Sequence, residues 1–249
     1  MQNIAYLKTG RLFFALAIIC IGMVHLVGGH FPTGLLPVDK AVNDVRILCD
    51  ICGCVLIAAG VILLTPKYVK YGIYLTGLFL LNFLFFIHLP RLVMNLQSGE
   101  AWTGTFEITS LLCGVLVIWG INRAESLLLA GNYLFAAGLF VFGVLHAVYG
   151  TYISVLIPAW IPFPVFWAYF VGAAFFAASI SLFIQKQVHL AATLLAIMFF
   201  LWVCIEHAPR VIASPNMETE WTSLFVALAM CGISLMIAGS FKKLRFAMN

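Results

Sequence analysis

The sequence GMVHL at residues 22–26 returns in similar form as GVLHA at residues 143–147. In the same way HLPR at 88–91 returns as HAPR at 207–210, so the two offsets are 121 and 119 residues. A nearly constant offset over half of the length indicates that one unit has been duplicated. Each copy then carries two histidines and a proline-arginine pair in apolar surroundings, and these residues are the first candidates for function.

The composition is that of an integral membrane protein. A soluble domain is about 45–50% apolar and about 25% charged, whereas this chain is 64% hydrophobic and 9% charged. The mean hydropathy is +1.10. Polar groups are too few to cover a surface that faces water, so we expect the lipid bilayer to be the outer solvent.

Eight apolar stretches have the length that a helix needs to cross about 30 Å of hydrocarbon. They lie near residues 12–29, 47–65, 71–90, 105–121, 127–149, 162–184, 188–206 and 221–241. We predict an all-α membrane protein in which eight transmembrane helices form two parallel-repeat four-helix bundles. The repeats are residues 1–123 and 124–249, and an even number of spans in each makes them parallel.

The positive charges predict the orientation. With eight spans, nine of the 13 Lys and Arg residues lie on the side of the two termini, and eight of the nine acidic residues lie on the other side. Lys and Arg prefer cytoplasmic loops, so both termini should be cytoplasmic in a bacterial-type inner membrane. The run after Lys8 and Arg11 has no clear small-residue cleavage site, and we interpret it as a helix rather than a secretion signal.

The repeated polar residues all fall toward the outer ends of helices. Because an ionisable group inside a membrane is costly, each one is a functional hypothesis. We therefore predict one shared pocket, or two equivalent pockets, at the outer side. The candidate pocket residues are His25, His88, Arg91, His146, Glu206, His207 and Arg210.

Each of these residue types also has a structural interpretation. Arg91 and Arg210 either anchor helices at the membrane surface, beside prolines that end them, or bind an anionic head group. His25 and His146 either bond a helix carbonyl across a close contact or handle protons and touch a quinone carbonyl. Metal or haem ligation is favoured less, because no His-x-x-x-His spacing places two ligands on one helix.

Cys49 and Cys52 form a CxxC at the start of the second span. Helical spacing places both thiols on one face, so they are candidates for a redox dithiol in an oxidising compartment. The corresponding segment of the second half has no cysteine, and cysteine is also a common buried apolar residue. Both interpretations stay open, and none of the seven cysteines belongs to a zinc pattern.

The two long outer loops differ in character. Residues 30–46 carry several charges and are expected to be solvated. Residues 148–164, VYGTYISVLIPAWIPFP, are aromatic and uncharged, so we expect them to lie in the membrane interface or to fold over the bundle. Such a segment would cover an apolar substrate or offer a docking surface to a partner.

The second span resembles one known family. Asp50-x-x-Gly53-x-x-Leu56-x-x-x-Gly60 is similar to the acidic-then-glycine pattern in the second helix of the DoxX-like membrane proteins, which have four helices. Gly22, followed by an outer loop with prolines, matches the same family, although the second copy has no acidic residue in place of Asp50. The resemblance implies a tandem of two DoxX-like units and a role in redox biology, such as quinone-linked oxidation or maturation of periplasmic redox enzymes.

We therefore expect a quinone-linked or redox-associated membrane subunit, with His88, His207, Arg91 and Arg210 around a head group and with a periplasmic or membrane redox partner protein. The alternative is a non-catalytic scaffold or maturation module for a periplasmic partner. Transport is a weaker candidate, because no span is plainly broken at its middle. No phosphate-binding glycine loop is present, and topology accounts for the net charge of +4, so nucleic-acid binding is not expected.

Overall fold

The computed structural model describes residues 3–246. Within this range it has no strand and eight helices long and apolar enough to cross a membrane. In chain order they are α1 (Ile4–Gly28), α2 (Arg46–Leu64), α3 (Val69–Met94), α4 (Gly99–Asn122), α5 (Glu125–Leu156), α6 (Pro164–Phe183), α7 (Val188–Ala213) and α8 (Glu218–Phe246). The predicted fold class is confirmed, and the chain is an all-α, multi-pass membrane protein.

The helices extend beyond the apolar stretches because their caps lie in polar flanking sequence. Asn3 precedes α1, and its side-chain oxygen accepts the backbone N–H of Tyr6 at 3.4 Å. Ser98 precedes α4, and its hydroxyl oxygen accepts the N–H of Ala101 at 3.2 Å. Such caps satisfy N–H groups that have no partner within the helix. Hydropathy therefore predicts the part of each helix that lies in lipid and misses its ends.

The prolines of the two proline-arginine pairs do not end their helices. Residues Leu84–His88 form a single π turn, in which the N–H of Leu89 bonds to the carbonyl five residues earlier. The wider turn accommodates the missing N–H of Pro90, and α3 continues beyond it. The same arrangement occurs at Val203–His207, before Pro209. The helix-stop interpretation is thus wrong, and each wide turn ends on a histidine of the candidate set.

Helices of the two halves interlock. The first helix of each half packs on the last helix of the other, α1 on α8 and α5 on α4. A Cβ placed on Gly10 would lie 2.6 Å from the carbonyl oxygen of Gly232, and one on Gly131 would lie 3.1 Å from that of Cys113. Helices α4 and α8 also touch and are the most buried of the eight. The two halves are therefore packed around a central α4–α8 pair.

Both ends of the described chain lie on one side of the bundle, since the N–H of Asn3 bonds to the carbonyl of Gly239 at 3.1 Å. We call the opposite side the distal end. It contains the π turns, the first turns of α4 and α8, and the two long loops. The seven candidate pocket residues lie on the parts of α1, α3, α5 and α7 that approach this end.

The loop after α1 is only partly solvated. Asp39, Lys40 and Asp44 are exposed as expected. Phe31, Leu35 and Leu36, however, are only 3%, 1% and 1% exposed and belong to the main core. The charges led us to expect a solvated segment throughout, and that prediction is wrong for the first part of the loop, where the apolar side chains pack inward. We call these three residues the plug.

The loop after α5 is shorter than predicted, because α5 continues to Leu156 with a break in helical geometry at Tyr149. Beyond it, Ile157 and Ile161 pack with Ala168 in a small separate apolar cluster. Trp160, between them, is 62% exposed. This segment folds against the distal end, next to the cavity described below.

Candidate ligand cavity at the distal end

A cavity of about 730 Å³ lies between α4, α5, α6, α7 and α8. Ligand sites commonly measure about 300–1,000 Å³ and combine apolar walls with a few polar groups. Aromatic side chains from three helices contribute to its walls, among them Phe142, Trp167, Phe175, Phe199 and Trp202. The polar groups come from both halves of the chain, since α4 belongs to the first half and the other four helices belong to the second.

Two of the candidate histidines line the cavity. Nδ1 of His146 lies 2.8 Å from the carbonyl oxygen of Phe142, one helical turn earlier. A carbonyl only accepts, so in the neutral ring Nδ1 carries the proton and Nε2 is an acceptor. Nδ1 of His207 is buried and has no hydrogen-bond partner among the described residues. The cavity wall therefore presents histidine nitrogens that have no hydrogen-bond partner within the described part of the protein.

Arg210 is held by two carboxylates. Its Nη2 donates to Oε1 of Glu220 at 2.8 Å, and its Nε lies 2.8 Å from Oε2 of the same residue. Its Nη1 lies 3.5 Å from Oε1 of Glu206. The three side chains are only 24%, 12% and 16% exposed. Two carboxyl groups thus face one guanidinium group, so Arg210 has no charge left for an anionic head group.

Arg91, the counterpart of Arg210 in the first half, makes a more exposed pair. Its Nη2 lies 2.8 Å from Oε1 of Glu100, with side chains 30% and 74% exposed. Such a surface pair contributes about 0–1 kcal/mol. Arg91 does not line the cavity, although Glu100 does. Both arginines of the candidate set are thus neutralised by carboxylates on the first turns of α4 and α8.

Glu107 also lines the cavity, although it was not among the pocket residues predicted from the sequence. It lies in the membrane part of α4. Its carboxyl group makes no ion pair or hydrogen bond within residues 3–246. A carboxyl group inside a membrane span is costly unless it faces a polar cavity or a partner. The signal was present as a lone acidic residue in an apolar stretch.

The structure divides the candidate set between the two halves. His146, Glu206, His207 and Arg210 line the cavity together. His25, His88 and Arg91 do not, and the first two are 0% and 1% exposed.

His25 repeats the geometry of His146 in the first half. Its Nδ1 lies 2.8 Å from the carbonyl of Ile21, also one turn earlier. The contact predicted beside it is present, because a Cβ on Gly22 would lie 2.7 Å from the carbonyl of Gly53 on α2. The predicted close contact is therefore present, but the predicted hydrogen bond across it is wrong, because His25 bonds to a carbonyl of its own helix. Its Nε2 has no partner among the described residues.

The CxxC cysteines are both free thiols. Cys49 is fully buried, and its Sγ donates to the carbonyl of His25 at 3.4 Å. Cys52 is half-buried. A buried thiol in an apolar environment is inert, so the packing role accounts for Cys49 as it stands in this structure.

Across residues 3–246, no group of three or more His, Cys, Asp or Glu side chains has an arrangement that could hold a metal ion. No protein-family model, curated protein or solved structure matches this chain. Its function is therefore inferred from the cavity and the side chains that line it.

Proposed function

We propose that the chain is a redox-associated membrane protein that binds a quinone-class molecule in the cavity lined by helices α4 to α8. The observation that supports this most is a cavity of about 730 Å³ with aromatic walls, which is also lined by a carboxyl group and by histidine nitrogens without a hydrogen-bond partner. Aromatic walls favour a flat ring by offset and edge contacts.

The polar groups favour hydroxyl donors. Glu107 has no partner, and His146 presents Nε2 as an acceptor. A quinol carries hydroxyl groups that donate, whereas a quinone carries carbonyl oxygens that accept. His207 can donate to a carbonyl, so the oxidised form also has a partner. Nε2 of His146 and a carboxyl oxygen of Glu107 are both free to accept, and a quinol has a hydroxyl group for each of them, so the reduced form should bind more tightly.

The first half supports an aromatic ligand independently. The ring of Phe31 lies 5.7 Å from that of His25, edge-on at 78°, and 6.2 Å from that of Phe83. The residues at the corresponding positions of the second half are His146 and Trp202, and both line the cavity. An aromatic ring therefore packs edge-on against the histidine in each half, since Phe175 lies 5.3 Å from His146 at 78°.

We expect a short-chain ubiquinol to bind the purified protein roughly 10-fold or more tightly than its dimethyl ether, which has the same ring but no hydroxyl donor. Each hydrogen bond contributes about 0.5–1.5 kcal/mol, two of them would be absent with the ether, and 1.4 kcal/mol is about tenfold in Kd. The matching quinone should fall between them. Titration calorimetry in one detergent measures all three.

Equal affinities for the three compounds would show that the polar groups of the cavity do not form hydrogen bonds with the ring substituents. No binding of any of them would remove the quinone assignment altogether.

The proposal includes a location. Nine of 13 Lys and Arg residues lie on the side of the termini, so the termini are cytoplasmic and the distal end faces the periplasm of a bacterial-type inner membrane. The resemblance of the Asp50 to Gly60 segment to DoxX-like proteins supports the redox role. A periplasmic or membrane redox partner protein, expected from the same resemblance, remains part of the proposal.

Fusion of a fluorescent protein and of alkaline phosphatase after Asn249 tests this orientation. Cytoplasmic fluorescence without phosphatase activity is the expected result, because the phosphatase needs the oxidising periplasm. The opposite pair of results would place the cavity on the cytoplasmic side and would require a different source of ligand and partner.

A further inference from the structure

The plug, Phe31, Leu35 and Leu36, occupies the place in the first half that corresponds to the cavity in the second. Phe31 packs against His25 and Phe83, whose counterparts line the cavity. His88 is only 1% exposed, and its counterpart in the second half is His207, another lining residue. The same polar environment is thus present twice, and in one copy a loop fills it.

The difference arises where α1 and α5 end. Helix α1 ends at Gly28, and Gly29 has a φ of +67°, a conformation that turns the chain back toward the bundle. Helix α5 instead continues to Leu156 past a kink at Tyr149. The residues after α1 therefore fold inward, whereas the residues after the kink in α5 form about two further turns of helix.

The plug leaves polar atoms beneath it without partners. Nε2 of His25 and Nε2 of His88 are buried and make no hydrogen bond among the described residues. Buried polar atoms are nearly always hydrogen-bonded, and apolar side chains cannot satisfy them. These two nitrogens suit a ligand with polar substituents better than they suit Phe31 and Leu35.

The plug is fastened by polar contacts at two places, of which the contact through Thr33 is exposed. Thr33 donates to Oε1 of Glu218 on α8, from its N–H at 2.9 Å and from its hydroxyl at 2.6 Å. The N–H of Phe31 donates to Oδ1 of Asn43 at 2.8 Å, within the same loop. Contacts open to water are weakened by competition with water, so this fastening can be released without unfolding a helix.

We propose that the first half contains a second site for the same class of ligand, closed by the plug, which opens when residues 29–45 move away from α8. This inference rests on the proposed quinone-class ligand of the cavity. The polar groups of this second site are His25 and His88. Cys49 would line the opened site, because Ala168 at the corresponding position of α6 lines the cavity.

The test uses the double variant Phe31→Ala/Leu35→Ala, with Val42→Ala as the matched control. Val42 lies in the same loop and is 41% exposed. Short-chain ubiquinol should bind the control and the wild type once per chain and the double variant twice. The thiol of Cys49, read by mass spectrometry of its peptide, should react with methyl methanethiosulfonate at least 10-fold faster in the double variant.

Glu218→Gln is the second variant, because it weakens the fastening without removing apolar packing. It should raise the Cys49 reaction rate by roughly 3-fold or more, with the unfolding temperature unchanged. One ligand in the double variant, or an unreactive Cys49 in both variants, would overturn the second site. No ligand in any protein would refute the proposed function, while the Cys49 rates would still show whether the plug opens.

Discussion

Gly10→Leu is expected to lower the unfolding temperature of the purified protein by roughly 6–12 °C. A Cβ at this position would lie 2.6 Å from the carbonyl oxygen of Gly232 and 2.9 Å from the N–H nitrogen of Met236. Both are backbone atoms of α8, so no side-chain rotation relieves the clash and the two helices must separate. Overpacking of this kind costs about 1–3 kcal/mol or more, and α1 would lose its main contact with the second half.

Gly28→Leu is the matched control, since it places the same side chain on the same helix. The nearest atom to a Cβ there belongs to the flexible side chain of His30, at 3.5 Å. We expect its unfolding temperature, measured in the same detergent, to match the wild type within about 2 °C. Equal losses in the two variants would mean that the α1–α8 crossing does not hold the halves together.

Ala168→Phe is expected to weaken ubiquinol binding by roughly 100-fold or more while leaving the fold intact. Ala168 is only 1% exposed and lines the cavity, beside Trp167 and Ile157. A phenyl ring at this position extends into the cavity, so it competes for the volume that a ligand ring would take. Displacing a buried ring forfeits both its apolar contacts and its hydrogen bonds.

Ala173→Phe adds the same ring to the same helix at an exposed position. It should bind ubiquinol with the affinity of the wild type, and both variants should elute as monodisperse protein. If Ala168→Phe bound normally, the ligand would lie elsewhere. If both variants lost binding, the loss would reflect added bulk on α6 and not occupation of the cavity.

The sequence was sufficient for the class of fold and for the number and order of spans, because apolar length alone decides whether a helix crosses a membrane. It also predicted that the repeated histidines and arginines gather toward one end. The sequence could not predict which helices pack against each other. Every face of these helices is apolar, so nothing in the pattern tells that Gly10 faces Gly232 and not a helix of its own half.

Four of the seven predicted pocket residues line the cavity, and two features that were not predicted have physical reasons. Charges at Asp39 and Lys40 marked the first loop as solvated, but burial is decided by each side chain, and Phe31 and Leu35 turn inward. Glu107 was visible in the sequence. Its role depends on which face of α4 meets the cavity, and that follows only from tertiary packing.

The central claim is that a quinone-class ring lies in the cavity of the second half. A photoreactive azido-quinol, irradiated with the wild-type protein and followed by peptide mass spectrometry, tests it most directly. Labels confined to peptides of α4 to α8, lost in Ala168→Phe and kept in Ala173→Phe, are the predicted result. Labels spread over lipid-facing peptides of α1 to α3, unchanged by Ala168→Phe, would contradict it.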